Sequence, residues 1–296
     1  MGNDADYIRW VYSNIIQVYY IVDSKELEYF YSGINTNPVG ASPFFEYQII
    51  YQNLIFNKTI SLIGLLKELL MDGYCFTSSV NEFYIPNKEF YHKRYFKHGL
   101  MVYGFDDETK ILDIAGFDMT WKFNTGKVSY EEYEKAFMTC KVNERCTIFK
   151  RKNLKYHLDT MSIKWLLEDY IGSKNTTERL RILANPLKGC MFGQEAFLAA
   201  LELKDNIDYR DLYTIYEHKK VMVSRLTYLA ENLKQTAFIE KLDCYSKITG
   251  KVYGLLLYCL KNIKNNVKSD KVYYVSKIKE LLKEEKDILQ NVIEHL

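Results

Sequence analysis

Two apolar runs joined by an acidic turn constrain the fold of this 296-residue chain more than any other feature. The first run extends from His98 to Phe105, and the second extends from Ile111 to Ala115. The turn between them is Asp106-Asp-Glu-Thr109. Short runs rich in β-branched and aromatic residues on both sides of a turn are typical of a β-hairpin. The pattern predicts a hairpin with His98 at its open end, where an imidazole can serve as a general base.

Helical periodicity dominates the second half of the chain. Apolar residues recur every three or four positions in six segments, namely 161–170, 177–183, 195–203, 211–233, 237–267 and 273–295. The first half mixes helical and strand patterns, with helices at 8–31, at 59–71 and after Ser129, and strands at 74–80 and 146–150. The sequence therefore predicts an α+β fold, with a domain built on an antiparallel sheet at 1–150 and an all-α helical bundle at 151–296.

Charge and hydropathy exclude two classes of partner. The 40 basic and 38 acidic residues are mixed along the chain, so no basic patch for nucleic acid is expected. No apolar run approaches the roughly 20 residues that a membrane span requires. The N-terminus is acidic and leads into no apolar signal sequence. We expect a cytoplasmic protein that binds neither nucleic acid nor membrane.

The six cysteines show no C-x-x-C pair and no zinc-type spacing with histidine, so neither a metal site nor a cofactor is expected. Free, buried thiols are the expected state of cysteine in a cytoplasmic chain of this size. The first cysteine is Cys75, in a segment predicted to be a strand. The early helices therefore contain no thiol.

Two motifs carry a resemblance to a known family. The first is the hairpin His98-Gly-Leu-Met-Val-Tyr-Gly-Phe-Asp106, and the second is Tyr216-Glu-His-Lys-Lys-Val-Met-Val-Ser-Arg-Leu-Thr-Tyr228. With both motifs in this order, the chain resembles the proteins related to the N-terminal domain of butirosin biosynthesis protein H. The resemblance spans most of the chain. It implies a papain-like fold for 1–150, with the helical bundle of 151–296 packed on it.

The resemblance also implies acyl-transfer chemistry in natural-product biosynthesis of the nonribosomal peptide or aminoglycoside type. In that chemistry, a cysteine at the start of the first helix accepts an acyl group from an acyl carrier protein or a pantetheine thioester. A histidine activates the thiol, an aspartate orients the histidine, and an amine takes the acyl group.

The nucleophile is the first point of departure from this pattern. The position matching the cysteine is Trp10 or Val11, and neither residue carries a thiol. Apart from phenols, Ser13 is the only hydroxyl nearby, so it is the candidate nucleophile; a helix-surface or capping serine is the alternative interpretation. Cys75 lies in a strand rather than at a helix start and is expected to be a buried small hydrophobic residue.

The acid is the second point of departure. His98 matches the histidine of the family, and the hairpin register predicts that it lies across from residues 116–118. The resemblance implies an aspartate there, but this chain has Gly116. Asp113 falls about 10 Å or more from His98 along the ladder, so Asp118 is the better substitute.

Glu217, His218, Lys219 and Arg225 lie in the second motif. Glu217 and Lys220 are one helical turn apart, so a same-face ion pair is predicted. His218 is either a contributor to the pocket or a packed helix residue.

Three functional hypotheses follow. The leading one is a catalytically degenerate acyltransferase homologue that binds an acyl group or carrier protein, or that acts as a scaffold for an active paralogue. The alternative is an active acyltransferase or amide hydrolase that uses His98, with or without a covalent intermediate. A third is an interaction module formed by the helical half.

Overall fold

A computed structural model describes residues 5–29, 42–56, 61–120, 122–140, 145–176, 189–233 and 236–296. These residues form two compact units, one from the described parts of Thr36–Leu154 and the other from those of Met1–Asn35 and Lys155–Leu296. The mixed α+β class and the helical C-terminal region are confirmed. The division differs from the predicted boundary at residue 150, because the first helix groups with the C-terminal helices.

The sheet unit contains a six-stranded antiparallel sheet with strand order β3-β8-β4-β5-β6-β7. Its strands are β3 (Phe45–Tyr51), β4 (Cys75–Asn81), β5 (Lys97–Asp106), β6 (Ile111–Phe117), β7 (Phe123–Ser129) and β8 (Arg145–Arg151). Its helices are α2 (Gln52–Phe56), α3 (Leu62–Met71) and α4 (Tyr130–Met138), and a short 3-10 turn covers Glu82–Tyr84.

The core of the sheet unit follows from strand alternation. Alternate residues of β4 and β5, among them Phe76 and Val80 opposite Val102 and His98, have side chains on the same face of the sheet. Apolar residues of that face form one buried cluster with Leu66 of α3 and residues of α4. This single packed face fixes the register of β5, and therefore the position of His98.

The ends of the two longer helices in this unit carry the expected signals. Ser61 accepts a hydrogen bond from the backbone N–H of Gly64 and caps α3. Gly73 follows that helix with φ of +81°, a left-handed conformation that glycine adopts without steric cost. Ser129 and Glu132 form the predicted capping box of α4.

The predicted hairpin is confirmed as β5 and β6. Met101 pairs with Ala115, and the ladder shifts register between Val102 and Gly104. Continuing the Met101 pairing toward the open end places His98 opposite residue 118, as the sequence predicted. Asp113 pairs with Gly104, at the far end of the ladder from His98.

The helical unit begins with α1 (Ala5–Asn14), β1 (Val18–Ile21) and β2 (Glu26–Tyr29). One or two helices were predicted over 8–31, and that prediction was wrong for the two strands at Val18–Ile21 and Glu26–Tyr29. The run Val18-Tyr-Tyr-Ile21 is β-branched and aromatic, and it pairs with β2 instead. Lys25 occupies the turn with φ of +57°. The prediction failed because the apolar spacing of three and four residues continues from α1 into the strand that follows it.

The rest of the helical unit contains α5 (Thr160–Ile171), β9 (Cys190–Phe192), α6 (Gly193–Glu202), α7 (Tyr209–Leu233), α8 (Thr236–Lys264) and α9 (Lys271–Glu294). Strand β9, which was not predicted, pairs with β1. Helices α7 and α8 pack along each other, and α9 packs against α5, α6 and α8. The predicted helix at 177–183 and most of the predicted loop at 32–43 lie outside the described residues. Within the described part, no helix has both the length and the apolar content needed to cross a bilayer.

Candidate functional site

His98 has a buried carboxylate partner at the end of the neighbouring strand. Nδ1 of His98 lies 2.6 Å from Oε1 of Glu82, and Glu82 is only 3% exposed. An ionised carboxylate only accepts hydrogen bonds, so the anionic form of Glu82 places the ring proton on Nδ1 and leaves Nε2 as the basic position. The pair has the histidine–acid arrangement of a general base.

The backbone around Glu82 explains its position. Glu82 follows the last residue of β4, Asn81, whose side chain accepts a hydrogen bond from Phe83 N–H at 3.2 Å and starts the 3-10 turn. The backbone N–H of Glu82 donates to the carbonyl of Phe96 at 2.8 Å. Val80 pairs with His98, so the carboxylate two residues after Val80 extends toward the imidazole.

Aromatic rings hold the imidazole on two sides. The ring of Phe117 is parallel to that of His98, with 5.8 Å between centroids, and the ring of Phe96 meets it edge-on at 5.9 Å. Phe117 is 43% exposed, and its outer side contacts Phe123. The His98 side chain is 25% exposed. The ring is therefore fixed in orientation and still reaches solvent.

A buried cation completes the site. Lys88 is 7% exposed, and its ammonium group donates a hydrogen bond to the carbonyl of Phe117. Burial lowers the pKa of Lys88 from its ordinary value, against the opposing attraction of Glu82 and Asp118. A Cβ atom at Gly116 would lie 3.0 Å from Nζ of Lys88 and 3.1 Å from Leu100. The space that an aspartate side chain would need at Gly116 is thus occupied.

Asp118, predicted as the acid, has a different role. Its Oδ1 accepts hydrogen bonds from the backbone N–H and hydroxyl of Thr120, both at 2.7 Å, and from Lys122 N–H at 3.2 Å. These bonds, led by that from the Thr120 hydroxyl, lower the pKa of Asp118 to about 2. Asp118 therefore caps the turn that follows β6. The carboxylate that contacts His98 is that of Glu82.

The thiol nearest in sequence does not lie beside the dyad. Cys75 is five residues before Val80 on β4, which corresponds to about 17 Å of strand from the position opposite His98. Burial raises the pKa of Cys75, so its thiol is a poor nucleophile. It is half-buried rather than fully buried as expected.

Ser13, the candidate nucleophile, lies in the helical unit, whereas His98 lies in the sheet unit. Ser13 is 0% exposed, and its hydroxyl oxygen accepts a hydrogen bond from the backbone N–H of Asp159 at 2.9 Å. Asp159 in turn caps α5. Trp10, at the expected cysteine position, is also buried. Ser13 therefore joins α1 to the start of α5 from a buried position, which differs from the helix-surface alternative.

Sequence reasoning missed Glu82, although its setting carried a signal. Glu82 lies between Val80 and the apolar run Phe83-Tyr-Ile85, where an acidic side chain is unexpected. Buried carboxylates are paired in folded proteins. Locating Glu82 beside His98 required the register of β4 on β5, and the sequence established only the hairpin.

The second motif lies on α7. Lys220 pairs with Glu217 at 3.2 Å, as predicted. His218 is fully buried between the rings of Tyr170 and Phe197, and its Nε2 contacts the carbonyl of Ile16 at 2.9 Å. Burial holds the pKa of His218 well below its usual range. His218 is a packed interior residue.

Lys219 and Arg225 of the same helix are also buried. Lys219 pairs with Glu285 at 2.7 Å, and Tyr170, Gln194 and Tyr245 donate further hydrogen bonds to that carboxylate. Arg225 donates to the carbonyls of Tyr12 at 2.8 Å and of Ile15, at the end of α1. The motif therefore holds the interior of the helical unit together.

A cleft of about 530 Å³ in the helical unit is lined by the turn before β2 and by the start of α7. Four of its charged groups form ion pairs, Lys204 with Asp211 at 2.6 Å and Arg210 with Asp208 at 2.6 Å. Neither His98 nor Ser13 lines it. The candidate site of this chain is therefore the His98–Glu82 dyad with Lys88.

The chain matches no protein-family model. It also matches no curated protein. Within the described residues, no group of three or more His, Cys, Asp or Glu side chains is arranged to hold a metal ion. The family relationship inferred from the two motifs stays a prediction.

Proposed function

We propose that this chain is a papain-like acyl-transfer protein of natural-product biosynthesis, in which His98 acts as general base without a cysteine nucleophile. The observation that carries the proposal is the 2.6 Å contact between Nδ1 of His98 and the buried Glu82 carboxylate. The antiparallel sheet and the two family-like motifs support the acyl-transfer class. The chemical classes of the acceptor, an amine, and of the donor, a thioester, are taken from that resemblance.

The reaction proceeds without a covalent enzyme intermediate. The acceptor amine attacks the carbonyl carbon of the thioester, and its proton passes to Nε2 of His98. Glu82 stabilises the imidazolium that forms. The carbon–sulfur bond then breaks, and the leaving thiolate takes the proton from His98. The products are an amide and a free thiol, and His98 returns to its neutral form.

The donor in this proposal is an acyl carrier protein or a pantetheine thioester. Thioesters suit a direct attack because the thiolate is a good leaving group, so a positioned base supplies the assistance that is needed. General-base catalysis contributes about 10²- to 10⁴-fold. An active paralogue is the second protein partner in this proposal.

A second candidate is an acyl-binding protein without catalysis. The burial of Ser13 and the hydrogen bond that its hydroxyl accepts from Asp159 remove the one hydroxyl nucleophile expected near the first helix, and this agrees with both candidates. The two candidates make different predictions for turnover and the same prediction for covalent adducts, namely that none form.

The test is an aminolysis assay with acyl-pantetheine thioesters and a panel of primary amines. Thiol release and amide formation are measured together, and intact-protein mass reports any acyl adduct. We expect amide formation that falls about 10²- to 10⁴-fold in His98→Gln. His157→Gln, at an exposed histidine of the helical unit, is the matched control. Thioester binding without turnover would favour the second candidate, and an acyl adduct on the protein would overturn both.

A further inference from the structure

Lys88 is an unusual residue for the interior of a site that contains two carboxylates. Lysine is among the residues least often buried, because its ammonium group loses strong hydration. Here the residue is 7% exposed, and its side chain ends on the carbonyl of Phe117, the residue whose ring stacks on His98. Lys88 therefore contacts the same strand end that orients the imidazole.

The structure provides specific space for this ammonium group. Gly116 lies beside Nζ, and a Cβ atom there would approach it to 3.0 Å, closer than nearly all real Cβ contacts. Gly116 does not have a left-handed φ angle, so its backbone conformation does not require glycine. The missing side chain instead leaves room for the ammonium group of Lys88 beside the carbonyl of Phe117.

Lys88 is the cation beside two acidic side chains near the dyad. Glu82 at the end of β4 and Asp118 at the end of β6 are both negative, and Lys88, from the segment between β4 and β5, is the cation that both attract. The proton between the buried carboxylate and the imidazole can be placed in two ways. Either Nδ1 keeps the proton and Glu82 is an anion, or Glu82 takes it and the ring changes tautomer.

We propose that Lys88 is a positioning residue, whose positive charge balances Glu82 and so keeps the dyad proton on Nδ1 of His98. This inference rests on the proposed function, because it names the group that leaves Nε2 as the basic position. The hydrogen bond from Lys88 to Phe117 also holds the ring that stacks on His98. One side chain thus supplies both the positive charge that balances Glu82 and the hydrogen bond that positions the ring of Phe117.

The test uses protein with ¹⁵N-labelled histidine, because imidazole nitrogen shifts report which nitrogen carries the proton. Spectra are recorded at a pH where the His98 ring is neutral. We expect His98 to be mainly the Nδ1–H tautomer in the native protein, and to move toward Nε2–H in Lys88→Met. Lys88→Arg, which keeps the charge, is expected to retain Nδ1–H. Lys93→Met, an exposed lysine of the same segment, is the matched control.

A second variant covers the case in which Lys88→Met does not fold. Gly116→Ala keeps the charge but pushes the ammonium group away, and it is expected to shift the tautomer in the same direction. An unchanged Nδ1–H tautomer in the folded variants would overturn the inference. This readout needs no turnover, so it separates failure of the Lys88 role from failure of the acyl-transfer proposal. If turnover is present, Lys88→Met is expected to lower kcat about tenfold to a hundredfold, with little change in KM.

Discussion

Oε1 of Glu82 contacts Nδ1 of His98 at 2.6 Å, although the two residues are 16 positions apart and belong to different segments of the sheet unit. The contact joins the end of β4 to the start of β5. It gives a buried carboxylate a hydrogen-bond partner and gives the imidazole a fixed orientation. A substitution that keeps the size of Glu82 but removes its charge therefore tests the dyad directly.

Glu82→Gln is expected to reduce amide formation at least about tenfold, because a glutamine stabilises the imidazolium less and can hold the ring in either tautomer. The aminolysis assay measures this change, and circular dichroism checks that the fold is intact. Asp113→Asn is the matched control, since Asp113 pairs with Gly104 far along the ladder. Equal loss in both variants would mean that the dyad has no special role.

Sequence patterns predicted the elements of the sheet unit well where local signals were strong. The β5–β6 hairpin, the capping box at Ser129 and the glycine stop at Gly73 all depend on residues close in sequence. The N-terminal hairpin was missed because Tyr19 and Val22 continue the spacing of three and four residues set by Ile8, Tyr12 and Ile15. The end of that helix depends partly on Arg225, more than 200 residues away.

The candidate site was predictable only in part for the same reason. His98 and its register against residues 116–118 follow from the hairpin itself. Glu82 and Lys88 reach the site from β4 and from the segment after it, so their positions depend on a strand pairing that no local pattern specifies. Ser13 was selected by proximity to Trp10, and its burial depends on the packing of α1 against α5.

The buried ion pair of Lys219 and Glu285 gives a prediction about stability. Lys219→Met is expected to lower the free energy of unfolding by about 3–5 kcal/mol, because it leaves Glu285 buried without a counter-charge. Adding Glu285→Gln is expected to restore part of this loss, since the uncompensated charge is then gone. Urea unfolding of the single and double variants measures both effects. A double variant as unstable as the sum of the singles would contradict this account.

His218 predicts how stability depends on pH. Its pKa in the folded protein lies well below the ordinary value of 6.5, so below pH 6.5 the unfolded chain binds a proton that the folded protein does not. This residue therefore removes stability as the pH falls, by about 2 kcal/mol between pH 8 and pH 5. His218→Gln is expected to flatten that part of the profile.

The measurement is the free energy of unfolding at pH 5, 6, 7 and 8 for the native protein and the variant. His157→Gln provides the control, because it removes an exposed histidine rather than a buried one. The difference in slope between the two variants is the quantity to compare. Parallel profiles for His218→Gln and the native protein would show that His218 accepts its proton without loss of packing.

Arg225 provides the last prediction, for the end of α1. Its guanidinium group donates to the carbonyls of Tyr12 and Ile15, which no residue of α1 itself satisfies. Arg225→Lys keeps the charge but loses the planar fork that reaches two carbonyls. We expect it to cost about 2–3 kcal/mol of unfolding free energy, with faster hydrogen exchange at residues 5–14. Lys220→Arg on the exposed face of α7 should leave both measurements unchanged. Native-like exchange in Arg225→Lys would show that α1 is held by apolar packing alone.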